Sequence, residues 1–125
     1  MIKTLLAVGL GSFVGGVVRY AISLVMRGVY AQGFPWATLI VNLLGCFLIG
    51  VIFALFGKYN STNSLWCLML TTGFCGGFTT FSAFANEGLQ LLQNGNLGLF
   101  VLYLFASVCF GLLFVVLGYA IVKYH

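Results

Sequence analysis

Charge is nearly missing from this chain. Of its 125 residues, five are Lys or Arg and a single one is acidic, Glu87. A soluble domain carries about a quarter charged residues. A charged share of 5% cannot clothe a surface in water, and 62% hydrophobic residues need a different solvent. The composition excludes a soluble globular domain and specifies an integral membrane protein. Asp is absent and the one His is His125 at the far end, so there is no Ser/His/Asp or Cys/His arrangement for nucleophilic catalysis. No GxxxxGK[ST] loop for ATP is present either. An enzyme is not expected. The cations Lys3, Arg19, Arg27, Lys58 and Lys123 are scattered, without the basic clustering that binds nucleic acid. They read as membrane-surface anchors, with Arg19 the exception. Cys46, Cys67, Cys75 and Cys109 make no CxxC pair and no Cys/His group at metal-ligand spacing. They read as free thiols acting as small packing residues.

What the chain does have is long apolar runs. A bilayer core needs about 20 mostly apolar helical residues to cross it. Four stretches qualify, at about 4–26, 35–56, 65–92 and 97–122, which predicts one all-α domain of four transmembrane helices over residues 1–125. Pro35 is expected in the first turn of the second helix, where its missing N–H costs little. GVYAQGF, GKYNSTNS and QNGN are the connectors. Lys3 followed by an apolar run superficially fits a cleaved signal, but the run continues past Arg19 without a small-residue cleavage site, so a retained first span is expected. Four spans put Lys3, Lys58 and Lys123 on one side and Arg27 on the other. That small positive-inside bias is compatible with insertion in both directions, the count favouring cytoplasmic termini. Gly11/Gly15 and Gly73/Gly77 are GxxxG pairs, which allow close helix approach in lipid.

The third span holds an anomaly. Gly73 to Glu87 reads GFCGGFTTFSAFANE and places three glycines, two adjacent threonines, a serine, an asparagine and the one acid inside an apolar chain. Polar groups at membrane depth persist where protein or a water-filled cavity surrounds them. Gly76 and Gly77 followed by Thr79 and Thr80 predict a helix that opens at mid-membrane, freeing carbonyls toward cations and N–H groups toward anions. Phe81 and Phe84 share a helix face beside the Ser82 hydroxyl. A phenyl ring has a positive edge, so two ring edges beside hydroxyls can hold a small anion without the full charge that would bind it too tightly to release. Thr38 and Asn42 share a face of the second helix, and Tyr103 and Ser107 share one of the fourth. Core packing, helix–helix hydrogen bonding and an interfacial tyrosine are the plainer readings of these residues. Together they have the composition of an anion pathway. Arg19 reads either as a snorkelling cation or as a vestibule charge that concentrates anions. Glu87 reads as a salt-bridge or vestibule residue.

GGVVRY, then VNLLG, then GFCGGFTTFSAF, in a chain of this length with four spans, resembles the Fluc (CrcB) family of small fluoride channels. The resemblance covers the whole chain, and the third motif is its specific part. It implies a dual-topology homodimer of antiparallel subunits with two fluoride pores, in the cell inner (plasma) membrane. By motif, it implies that Phe81 and Phe84 touch fluoride with their ring edges and that Asn42 is a polar pore residue near them. Gly76 and Thr79 would give backbone carbonyls to a structural sodium ion on the dimer axis. Arg19 would line the vestibule, and Tyr103 and Ser107 would form a hydroxyl track. One turn beyond Ser107, where some relatives carry another hydroxyl, this chain has Gly111.

The expected activity is passive export of fluoride. Hydrogen fluoride enters from acidic surroundings and dissociates at neutral pH, and a pore lets the membrane potential expel the anion. The alternatives are a small proton-coupled exporter of toxic cations, which typically needs a carboxylate in its first helix, and a non-transporting assembly subunit. The first helix here has no carboxylate.

Overall fold

The computed structural model describes residues 1–29 and 33–125, so the Tyr30 to Gln32 part of the predicted first connector lies outside the described residues. The described chain is all helical. Helix α1 spans Ile2–Val25 and runs into a 3-10 turn, Met26–Val29; α2 spans Trp36–Lys58. The third span is composite: α3 (Leu65–Leu68), a π-helical stretch (Met69–Cys75), α4 (Gly76–Phe78) and α5 (Phe81–Gln93). Helix α6, Leu97–Lys123, completes the chain. Among the described residues, four segments are long and apolar enough to cross a membrane: Ile2–Val25, Trp36–Lys58, Leu65–Gln93 and Leu97–Lys123. The chain is a multi-pass membrane protein.

Local sequence explains where these helices begin and end. Pro35 sits just before α2 and not in its first turn, with φ −81° and ψ 70°. The connector after α2 turns through Asn60 at φ 54°, a residue type that tolerates this region. Ser64 then caps α3, its hydroxyl accepting from the Cys67 N–H at 3.2 Å. Gly95, at φ 76°, makes the turn between α5 and α6, where a side chain would be strained.

The spans pack as two pairs, α2 against α6 and α1 against the first half of the third span. Lipid offers no hydrophobic drive between helices, so close backbone approach has to supply the contact. Glycine provides it in both pairs. A Cβ on Gly11 or Gly15 would run into the carbonyl oxygen of Met69 or Phe74; one on Gly77 would strike that of Ser12. The two GxxxG pairs therefore pack against each other within one chain. Gly50 and Gly118 do the same between α2 and α6, against the backbone of Val115 and Phe47. The large apolar residues Leu6, Phe13, Phe105 and Leu112 face outward, as lipid-facing residues must.

This packing has a measurable consequence. Gly15→Ala inserts a methyl against backbone that cannot swing aside, and should cost about 1–3 kcal/mol. Gly9→Ala meets open space and should be neutral, or stabilising by up to about 1 kcal/mol through helix propensity. Unfolding midpoints of the two variants in one detergent check the contrast.

Candidate functional site

The third span opens at Thr79 and Thr80. Thr79 has φ −86° and ψ 159°, and Thr80 has φ −150° and ψ 118°, both extended. Gly76 and Gly77, which together with the two threonines predicted an opening, themselves remain helical. Gly77 serves packing on α1, and the break falls on the β-branched pair, which suits extended backbone. An interrupted helix inside a membrane protein must find new partners for its backbone groups. Here side chains provide them. The Asn42 amide accepts from the Thr80 N–H at 2.8 Å and donates to the Thr80 carbonyl at 3.2 Å. The Thr80 hydroxyl caps α5, accepting from the Ala83 N–H at 3.1 Å. Arg19 donates through Nε to the Gly77 carbonyl at 3.2 Å. The Thr79 N–H and hydroxyl both donate to the Cys75 carbonyl, at 2.9 and 2.8 Å.

These substitutions release two other groups. In an unbroken helix the Thr80 N–H would serve the Gly76 carbonyl, and the Ala83 N–H would serve that of Thr79. Asn42 and the Thr80 hydroxyl have taken those donors. Both carbonyls are left without their helical partner, on residues that border a cavity of about 330 Å³ lined also by Gly45, Cys46, Thr71 and Cys75.

A second cavity, of about 280 Å³, lies on the other side of the break. Asn42, Cys46, Thr79, Thr80, Phe81, Phe84, Ser107 and Val108 line it. It thus gathers four of the predicted pathway residues, Asn42, Phe81, Phe84 and Ser107. The two rings lie 5.7 Å apart between centroids, tilted by 46°. The Ser107 hydroxyl is buried with no hydrogen-bond partner among the described residues, an expensive condition unless a ligand or water satisfies it. Phe81 is 79% exposed, so its ring stands at the open edge of a single chain.

A third cavity, of about 180 Å³, is lined by Arg19, Ser23, Thr38, Thr80 and Glu87 among others. Arg19 and Thr38 therefore belong to a neighbouring chamber, joined to the second through Thr80. Tyr103 lines none of the three. It is fully buried, packs against Phe34 and Phe84 with centroids 5.5 and 5.0 Å away, and donates its hydroxyl to Glu87 Oε1 at 3.1 Å. It connects the Phe84 ring to the Glu87 chamber. Ser82 lies outside all three, with its hydroxyl 3.2 Å from that of Thr80. Sequence reasoning missed Thr80 as the hub of the site and the π-helical turns before the break. The adjacent threonines were the available signal for the first; nothing in the local sequence marks the second.

Residues 6–119 match the family described as CrcB-like protein, Camphor Resistance (CrcB). A protein of Phocaeicola vulgatus named fluoride-specific ion channel FluC is 48% identical over 119 residues, covering 93% of this chain and 95% of its own length. Namesakes from Prosthecochloris aestuarii and Flavobacterium psychrophilum are 45% and 41% identical over 121 residues each, covering 97% of this chain and 94% and 98% of their own.

Asn42→Ala would strand the Thr80 N–H and carbonyl together, at about 1–3 kcal/mol per unsatisfied buried group. The expected result is a lower unfolding midpoint and faster hydrogen exchange at the Thr80 amide. Asn42→Asp keeps an acceptor for the N–H but loses the amide donor and sets a carboxyl group against the Thr80 carbonyl, and should also lower the midpoint and speed the exchange relative to wild type.

Proposed function

The chain belongs to the CrcB-like (Fluc) family, and on that footing we propose that it is a passive, fluoride-selective ion channel. The observation that carries the reading is the cavity at the helix break, where Asn42, Phe81, Phe84 and the unpartnered Ser107 hydroxyl converge. Fluoride is small and strongly hydrated, so a path through hydrocarbon must replace its water with other donors. A primary amide has two N–H donors. Asn42 gives one to Thr80 and has one left for an anion. Ser107 offers its O–H, and the phenyl rims offer their positive edges. Among the described residues no full positive charge borders this cavity, which favours release as well as entry. Arg19 stands in the adjoining chamber, where it raises the local anion concentration without trapping the ion on the path. The membrane potential drives the outward step, about 2.3 kcal/mol per charge per 100 mV.

The functional unit is an antiparallel homodimer with two pores, in the cytoplasmic membrane. The open-edged position of Phe81 supports a second copy completing each path. A structural sodium ion suits the Gly76 and Thr79 carbonyls, because hard cations take oxygen donors and these two oxygens have lost their helical N–H partners. The ion would hold the two opened helices together at the subunit interface and would not be transported.

Reconstituted liposomes test the proposal. The purified protein should pass fluoride and exclude chloride; an absence of fluoride flux from folded protein would overturn it. Phe81→Ile and Phe84→Ile should each abolish flux or slow it greatly with the dimer intact. Ser107→Ala, which removes one donor, should slow it about 10-fold, equivalent to roughly 1.4 kcal/mol. Replacing sodium by a larger cation during purification should weaken the dimer, read by its dissociation on dilution in detergent.

A further inference from the structure

Two of the four thiols sit where the anion pathway does not need them. Cys46, half-buried on α2, and Cys75, buried in the π-helical stretch, border the same cavity of about 330 Å³. The two residues reach that cavity from different spans, α2 and the third. Cys46 also borders the neighbouring cavity with Asn42, Phe81, Phe84 and Ser107. Gly111 faces this sulfur from α6: a Cβ there would lie 3.6 Å from Cys46 Sγ, so glycine leaves the thiol uncrowded on that side. Among the described residues no group of three or more His, Cys, Asp or Glu could hold a metal ion. A metal that demands four protein ligands is therefore not served. A soft ion content with two thiolates is.

We propose that Cys46 and Cys75 form a two-coordinate site for a soft divalent cation, for which mercuric ion is the probe. Softness selects thiolate over the oxygen donors nearby. Charge selects a divalent ion, because two thiolates neutralise it and a net charge in this environment is costly. The exchange balances without oxidation. Neutral mercuric chloride enters the cavity, two S–H bonds break, two Hg–S bonds form, and two protons and two chlorides leave. The metal then bridges α2 to the helix just before the break, beside the wall that Cys46 shares with the Asn42 cavity. Since these are the thiols of two different spans, the bound ion fixes their separation.

The test uses the purified full-length chain and mercuric chloride. Wild type should release two protons per mercury for the first equivalent bound and retain one mercury per chain through a wash with a monothiol. Cys46→Ser and Cys75→Ser should each drop to one proton per mercury and lose the metal in the wash. The double variant Cys67→Ser/Cys109→Ser should behave as wild type. Release of one proton per mercury from the wild-type protein would overturn the site, a result that depends on no variant folding. So would equal retention by Cys46→Ser or Cys75→Ser. A further arm rests on the fluoride-channel reading: with each protein compared with its own untreated rate, mercury should block flux in wild-type liposomes and spare it in Cys75→Ser. If the untreated protein passes no fluoride, that reading fails, while proton release and retention still decide the metal site. Flux undiminished in a mercury-loaded wild-type channel would overturn the placement beside the pathway.

Discussion

Two hydrogen bonds between the Asn42 side chain and the backbone of Thr80, one donated and one accepted by the amide, hold the third span open. A helix broken at membrane depth exposes donors and acceptors that hydrocarbon cannot satisfy. A primary amide is suited to the repair because it offers an acceptor and donors on one planar group. By taking the Thr80 N–H it frees the Gly76 carbonyl. By keeping a second N–H in reserve, it retains something to offer an ion. The same side chain is thus a structural splint and a candidate ligand, and it forms part of the wall of the cavity that Phe81, Phe84 and Ser107 also line.

Around that splint the remaining polar residues divide the labour. Arg19 secures the Gly77 carbonyl from α1, the Thr80 hydroxyl starts α5, and the Thr79 hydroxyl closes the end of α4. Tyr103 joins the Phe84 ring to Glu87 and stays wholly buried. In the third span the hydroxyls of Thr71, Thr79 and Thr80 each have a backbone partner. On α6 the buried Ser107 hydroxyl has none among the described residues, and that unmet group points the functional reading to one cavity.

Much was legible in advance, for physical reasons that can be named. The four spans follow from hydrocarbon thickness and the scarcity of charge. The crowding of polar residues between Gly73 and Glu87 located the break, because such residues have no place on a lipid-facing helix. Its position within that segment was less legible. Gly76 and Gly77 have the lowest helix propensity there, yet both stay helical, and Gly77 does so packed against Ser12 of α1. Thr79 and Thr80 open instead, because Asn42, far away in sequence, rewards them for doing so. Propensity is a local quantity, and tertiary contact overrode it. The π-helical turns of Met69–Cys75 likewise answer to packing on α1 and left no mark in local composition.

Composition and spacing alone determined that this chain crosses a membrane four times, that it carries very few charged side chains, and that its polar groups concentrate in one span. Those conclusions follow from transfer of apolar and charged groups between water and hydrocarbon, which each residue contributes wherever it sits. Which polar groups meet was decided only in three dimensions. Asn42 reaches Thr80, Ser107 comes to face Phe81 and Phe84, Arg19 and Thr38 fall into the next chamber, and Tyr103 turns to Glu87. Hydrogen bonds depend on distance and direction between groups brought together from different helices, and those are set by glycine-to-backbone contacts that no single helix contains.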